Sequence, residues 1–189
     1  YTYLDMAESH SLQNQHLNRL RAAVLGANDG IVSTSSVVMG VAGAGASNSA
    51  IFTAGLAALV AGALSMAVGE YVSVASQKDA EKAHFDSHHK GNDEDHEYSS
   101  PMQAAVASLL SFVAGGLVPF VAVIITPEEY KLVATVAAVL VALVLTGYFS
   151  ANAGKSSRTK AVIRVVIGGS VAMLVTYYVG SLFGANFLG

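Results

Sequence analysis

The sequence predicts an all-α, polytopic membrane protein with five transmembrane helices and a cytoplasmic N-terminus. Hydrophobic residues make up 53% of the 189 residues, only 12% are charged, and the mean hydropathy is +0.51. Such values are typical of a membrane protein rather than a soluble domain. The apolar residues also fall into long segments with almost no charged face, which argues against a soluble helical bundle.

Five segments, which together form a transmembrane domain over residues 20–185, are each long enough to cross about 30 Å of hydrocarbon at about 1.5 Å per helical residue. In chain order they are 20–44, 51–77, 102–125, 132–153 and 161–185. A polar segment, 1–19, precedes them, and a longer acidic and histidine-rich loop, 78–101, separates the second from the third. Pro119 is expected to kink or end the third helix.

The basic residues predict the orientation. If the five helices alternate, nine of the ten Lys and Arg residues fall on one side of the membrane, and only Lys131 falls on the other. Because cytoplasmic loops carry an excess of Lys and Arg, the N-terminus and the 78–101 loop are expected in the cytoplasm. The C-terminus then faces the outside or the lumen of an organelle.

Charge and cysteine content exclude several classes of function. The net charge of −3 gives no basic field for nucleic acid. The absence of cysteine excludes thiolate metal sites, iron–sulfur clusters and cysteine nucleophiles. We therefore expect no resident cofactor.

Two acids lie inside the apolar segments, Asp29 and Glu70. Asp29 is eight residues beyond Arg21 and Glu70 is eight residues before Lys78, so both are expected at one depth, about 12 Å from the cytoplasmic boundary. A carboxylate there costs at least about 2.5–3.5 kcal/mol on insertion scales. No Lys, Arg or His lies deep in a segment as a counter-ion, so the sequence predicts either protonated carboxyls or a shared cation. Switching between these two states is what proton–cation exchange requires.

Met66 lies one helical turn before Glu70 on the same face, and Ser33, one turn beyond Asp29, offers a hydroxyl. Carboxylate oxygens with a thioether suit Fe²⁺ or Mn²⁺ better than Mg²⁺ or Ca²⁺, so Asp29, Met66 and Glu70 are the predicted metal ligands. In the structural alternative, Asp29 caps a helix break at the turn signal "NDG" and Glu70 hydrogen-bonds to a neighbouring backbone. Gly26, Gly30 and Gly69, beside the acids, are expected to allow local bending.

The 78–101 loop holds many Asp, Glu and His side chains. Such a tract can collect divalent cations at low affinity, although a solvated linker explains it equally well. Glu81 is three turns beyond Glu70 and lies on the same face if the second helix continues into the cytoplasm. Glu81 and His84 are therefore the candidates for the first ligands that an incoming cation meets.

At four motifs the chain resembles the vacuolar iron transporter family, and within it the short nodulin-like members without the large cytoplasmic metal-binding domain. The motifs are "LRAAVLGANDGIVSTSSVVMGV", "AGLAALVAGALSMAVGEYVSVASQKDAE", "SPMQAAVASLLSFVAGGLVP" and "RVVIGGSVAMLVTYYVG". Together they extend the resemblance over nearly all of residues 19–182. The first two are the most specific.

The resemblance implies a five-helix homodimer that exports Fe²⁺, and often Mn²⁺, from the cytosol in exchange for protons. The membrane would be the vacuolar one in a eukaryote and the plasma membrane in a bacterium. Matched motif to motif, the family's intramembrane ligands fall on Asp29, Met66 and Glu70. The chain departs from the full-length relatives in the loop, where a short segment replaces their Glu-rich helical domain.

Two other classes of function remain as alternatives. A passive divalent cation channel would use the same carboxylates without depending on a proton gradient. A membrane enzyme or redox carrier is the weaker alternative, because the apolar segments contain neither histidine nor a visible nucleophile–base pair. The sequence therefore predicts a transporter and not an enzyme.

Overall fold

The computed structural model describes residues 3–88 and 98–187, with side chains described for residues 20–83 and 98–184. This part of the chain is all-helical. The five α-helices are α1 (Tyr3–Gly43), α2 (Asn48–His88), α3 (Pro101–Ile125), α4 (Lys131–Ala153) and α5 (Arg158–Phe187), with a 3₁₀ turn at Glu128–Tyr130. All five are long and apolar enough to cross a membrane, as the sequence predicts.

The helix bounds differ most from the predicted segments at the start of α1 and at the end of α2. The helix α1 begins at Tyr3, so the polar residues that precede the first apolar segment continue the same helix. The helix α2 extends to His88, well beyond its apolar part.

Pro119 lies inside α3, which continues to Ile125. The expectation that Pro119 ends the helix is therefore wrong, because neighbouring helices in a membrane protein can offset the lost backbone hydrogen bond.

Within the described residues, α1 is the central helix. It packs against all four others, most extensively against α3. Among the described residues, the backbone of α2 packs on α1 and α3, and that of α5 packs on α1 and α4. Large apolar side chains on the outer faces of α2 and α5 are exposed, among them Leu64, Val68, Leu174 and Leu182. Such faces suit contact with lipid, because lipid tails are as apolar as leucine.

Small residues allow the close approach of α1 and α3. A Cβ added to Gly30 would collide with the carbonyl oxygen of Phe112, and one added to Gly115 would collide with that of Ala27. Gly30 and Gly115 are thus packing residues, as small residues at helix contacts in lipid commonly are. Gly69 and Gly168 are exceptions, since neither has a neighbour within 4 Å of an added Cβ.

Lys131 links the connection between α1 and α2 to the connection between α3 and α4. Its side chain is 10% exposed, and its Nζ donates hydrogen bonds to Glu128 Oε2, at 2.8 Å, and to Asn48 Oδ1. Asn48 Nδ2 also donates to Glu128 Oε2 at 2.6 Å. These contacts tie the start of α2 to the connection between α3 and α4. A buried cation is tolerated here because it is paired and hydrogen-bonded.

Candidate metal site within the membrane

Glu70 lies on the inner face of α2. Buried residues recur at helical spacing along this helix: Ile51, Gly55, Leu59, Ala63, Glu70 and Val74. The Glu70 side chain is 6% exposed, so the carboxylate faces the other helices and not the lipid. A carboxylate in this position needs a hydrogen-bonded or charged partner.

That partner is Arg21. Its Nη2 donates to Glu70 Oε1 at 3.1 Å, across α1 and α2. The expectation that no basic residue serves as a counter-ion is therefore wrong for Glu70. Arg21 lies near the start of the first apolar segment, and its long side chain extends to the buried carboxylate of Glu70. A count of residues along the helix does not reveal this contact. This ion pair also replaces the alternative in which Glu70 bonds to a neighbouring backbone.

Met66 lies one turn from Glu70 toward the middle of α2. Its partly buried side chain packs against a cluster formed by Leu59, Ala63, Phe112 and Phe120. Met66 therefore shares the inner face of α2 with Glu70, as its spacing predicts. The thioether lies in an apolar environment between α2 and α3.

Asp29 is half-buried in α1, which runs without a break through Asn28 and Gly30. The alternative in which Asp29 caps a helix break is therefore wrong, because close packing of this region on α3 keeps the "NDG" turn signal helical. The Ser33 hydroxyl donates to the backbone carbonyl of Asp29 at 2.6 Å, so in this conformation it serves the backbone. Beside Asp29, the Oδ1 of Asn28 is buried and has no hydrogen-bond partner among the described residues.

A contact among Ala22, Val74 and Ala104 fixes the relative depth of the two acids. Glu70 is four residues from Val74 and Asp29 is seven residues from Ala22, or about 6 and about 10 Å along their helices. Helical side chains lean toward the N-terminus of their own helix. Because α1 and α2 run in opposite directions, the two carboxyls lean toward a common level.

Convergence of Asp29, Met66 and Glu70 on one ion stays a prediction. Among the described side chains, no group of three or more His, Asp or Glu residues is arranged to hold a metal. The predicted set contains only two carboxylates, with a thioether as its third member. A thioether is a ligand for soft and borderline metals rather than for Mg²⁺ or Ca²⁺.

The glycines beside the acids have two different roles. Gly26 and Gly30 lie against the α3 backbone, where an added Cβ would meet the carbonyl oxygens of Ser108 and Phe112. Gly69 is exposed and has no neighbour within 4 Å of an added Cβ. Packing alone therefore explains Gly26 and Gly30, whereas the bending hypothesis stays a prediction for Gly69.

Glu81 lies on the continuation of α2, as expected for a helix that extends beyond the apolar segment. Its carboxylate accepts hydrogen bonds from Gln77 Nε2 at 2.9 Å, Ser99 Oγ at 3.1 Å and the Ser99 backbone N–H at 3.3 Å. Glu81 therefore ties the end of α2 to the chain just before α3. The side chain of His84 and the residues 89–97 of the loop lie outside the described residues.

Two contacts at this end of the molecule escape sequence reasoning. Ser99 is separated from Glu81 by the whole loop, so no local spacing links them. For the Arg21–Glu70 pair a signal exists: a buried carboxylate near the end of one segment and an arginine at the corresponding end of its antiparallel neighbour.

Comparison with known proteins shows which proteins the chain is similar to. A profile described as the VIT family matches residues 20–99 and 84–181. The chain is 46% identical to "Vacuolar iron transporter homolog 1" of Arabidopsis thaliana, over 89% of this chain and 85% of that protein. It is 41% identical to "Vacuolar iron transporter homolog 4" of the same plant, over 97% and 94%. Identity to "Vacuolar iron transporter homolog 1" of Oryza sativa subsp. japonica is 44%, over 88% and 75%.

Proposed function

Because the chain belongs to the VIT family, we propose that it is an integral membrane transporter that carries Fe²⁺ from the cytosol into a vacuole. The observation that carries this proposal is the carboxylate of Glu70, buried on the inner face of α2 with the Met66 thioether one turn away. The half-buried Asp29 on α1 supplies the second carboxylate. The names of the relatives support iron as the substrate.

The two carboxylates also make Mn²⁺ a second substrate. Mn²⁺ takes oxygen ligands readily, and an N, O or S site generally binds it more weakly than Fe²⁺. The buried Oδ1 of Asn28, next to Asp29, has no hydrogen-bond partner in the described part of the chain and is a further oxygen that the ion can use. The transporter therefore prefers Fe²⁺ and accepts Mn²⁺ when iron is scarce.

Transport is coupled to protons in the opposite direction. When the metal leaves, a carboxyl without a counter-ion faces a cost of at least about 2.5–3.5 kcal/mol for a charge in the bilayer, which protonation removes. Glu70 regains its pair with Arg21, so the exchanged proton goes first to Asp29. Protons from an acidic vacuole thus release the metal and reset the site. The basic residues on the side of the N-terminus support a cytoplasmic location for that end, and Glu81 and His84 are then the first ligands that the metal meets.

A homodimer is the proposed assembly. Support comes from the exposed face of α2, where Ser65, Gly69 and Ser73 recur every four residues. Small residues at this spacing let two helices approach closely in lipid. The mass of the detergent-solubilised protein, measured by light scattering with the detergent contribution subtracted, tests this: the proposal expects two chains, and a monomeric mass would contradict it.

The transport proposal is tested by Fe²⁺ flux in proteoliposomes, with and without an imposed pH gradient, for the native chain and for Glu70→Ala. We expect uptake that follows the gradient and is lost in the variant. Flux that ignores the gradient would instead favour a passive channel. A folded native chain with no flux would refute transport by this site.

A further inference from the structure

The Arg21–Glu70 pair is unequal in its surroundings. The Glu70 side chain is 6% exposed, whereas the Arg21 side chain is 56% exposed, and the joined atoms lie 3.1 Å apart. Arg21 is the second residue of the first candidate span, Leu20–Gly43. The exposed side chain of Arg21, at the end of its span, therefore extends inward to the buried carboxylate of Glu70.

The Arg21 guanidinium is hydrogen-bonded to a Glu70 oxygen that a metal ion would use as a ligand. The described contact joins Nη2 to Oε1 only, whereas the strongest arginine–carboxylate pairs form two parallel hydrogen bonds. Arginine stays protonated at every pH that a protein meets. Since deprotonation cannot free the carboxylate, the side chain must move before another cation binds at this oxygen.

We propose that Arg21 is the resident cation of Glu70, that a divalent metal displaces it, and that its presence excludes monovalent cations. This inference rests on the proposed function, in which Glu70 binds the transported metal. Replacing the guanidinium by K⁺ leaves the charge beside Glu70 unchanged and loses a charge-assisted hydrogen bond. Replacing it by Fe²⁺ or Mn²⁺ raises that charge by one, so only a divalent ion gains Coulomb energy.

The position of Arg21 allows its displaced side chain to move to the membrane surface. Because Arg21 is more than half exposed and lies at the end of the span, its guanidinium can turn to the membrane surface, as long basic side chains near helix ends do. The exchange therefore leaves no unpaired charge inside the bilayer. Arg21 is in this sense a residue that determines specificity, while Glu70 binds the ion.

Chemical modification of arginine tests the displacement directly. The purified protein in detergent is treated with phenylglyoxal, and the modification of each arginine is measured by mass spectrometry with no added metal, with Mn²⁺ or with K⁺. Arg158 is the matched control, since it is exposed, donates to Asn152 at 2.8 Å and contacts no metal-site residue among those described. We expect Mn²⁺ to raise the modification rate of Arg21 several-fold, K⁺ to leave it unchanged, and Arg158 to respond to neither.

Bound Mn²⁺ is measured in the same preparation, which separates the two proposals. Mn²⁺ binding without a rise in Arg21 modification would overturn the displacement and leave the proposed function standing. No Mn²⁺ binding would overturn both. Glu70→Gln supplies a check of the ion pair, since it should make Arg21 reactive without metal; an unchanged rate would overturn the inference.

The exclusion of monovalent cations is tested with Arg21→Gln. In this variant we expect K⁺ to weaken Mn²⁺ binding, whereas in the native chain and in Arg158→Gln the effect of K⁺ should not exceed ionic screening. Mn²⁺ binding to Arg21→Gln that resists K⁺ as well as the native chain would overturn this half of the inference. Arg21→Lys, which keeps the charge, should retain the exclusion.

Discussion

Gly62 of α2 packs directly against the ring of Phe112 in α3. A Cβ added to Gly62 would lie 2.8 Å from Cε1 of that ring and closer still to Cζ. Phe112 is fully buried, and its carbonyl oxygen lies against Gly30 of α1. One aromatic residue thus fixes the distance between α1 and α2, the two helices that carry the acids.

Gly62→Ala is expected to destabilise the fold, because Phe112 has no room to yield. Overpacking a filled core typically costs about 1–3 kcal/mol. Gly168→Ala in α5 is the control, since an added Cβ there meets no described neighbour within 4 Å and the variant should gain up to about 1 kcal/mol in helix propensity. Thermal unfolding in detergent measures both variants. Equal melting temperatures would contradict the packing of α2 on Phe112.

Ser99→Ala and Glu81→Gln separate the structural role of Glu81 from a role in metal capture. Both variants weaken the hydrogen bonds between α2 and the start of α3, which are worth about 0.5–1.5 kcal/mol each, so both should lower thermal stability. Only Glu81→Gln removes the charge that attracts a cation. We expect it alone to raise the Fe²⁺ concentration that gives half-maximal flux. If that concentration stays at the native value, Glu81 has a structural role and is not a metal ligand.

Met66→Leu should keep the fold and reduce the preference for Fe²⁺ over Mg²⁺. The exchange conserves volume in the cluster around Phe112 and typically costs less than about 1.5 kcal/mol, but it removes the thioether. We expect Mg²⁺ to compete better against Fe²⁺ in flux measurements on this variant. Met39→Leu is the matched control, because Met39 is 7% exposed in a separate cluster with Val139 and Met173. A similar effect in both variants would show that Met66 acts only through packing.

The sequence predicts much of this fold because in a bilayer the length and polarity of segments largely determine the helices. It also identifies Glu70 as a buried acid, since a carboxylate inside an apolar segment is conspicuous. The pairing with Arg21 is not predicted. The positions of the two residues at corresponding ends of antiparallel segments are a signal for it, but the contact itself depends on the conformation of a long side chain between two helices. The contact between Glu81 and Ser99 is not predicted for another reason, because it depends on the path of the chain between these two residues.

Local signals fail where tertiary packing overrides them. The "NDG" stretch reads as a turn, yet α1 stays helical there because Gly26 and Gly30 lie against the α3 backbone. Pro119 is a signal for a kink or an end of the helix, yet α3 does not end there and continues for six residues. In both cases the neighbouring helix, which the local sequence does not describe, decides the backbone conformation.

The most direct test of the central claim is equilibrium binding of Mn²⁺ to the purified native chain, to Asp29→Asn, to Glu70→Gln and to the double variant. If one ion shares both carboxylates, each single variant should lose most of the affinity, and the double variant should lose much less than the sum of the two losses. Single variants that both keep the native affinity would contradict a shared site. Independent, additive losses would mean that Asp29 and Glu70 belong to different sites.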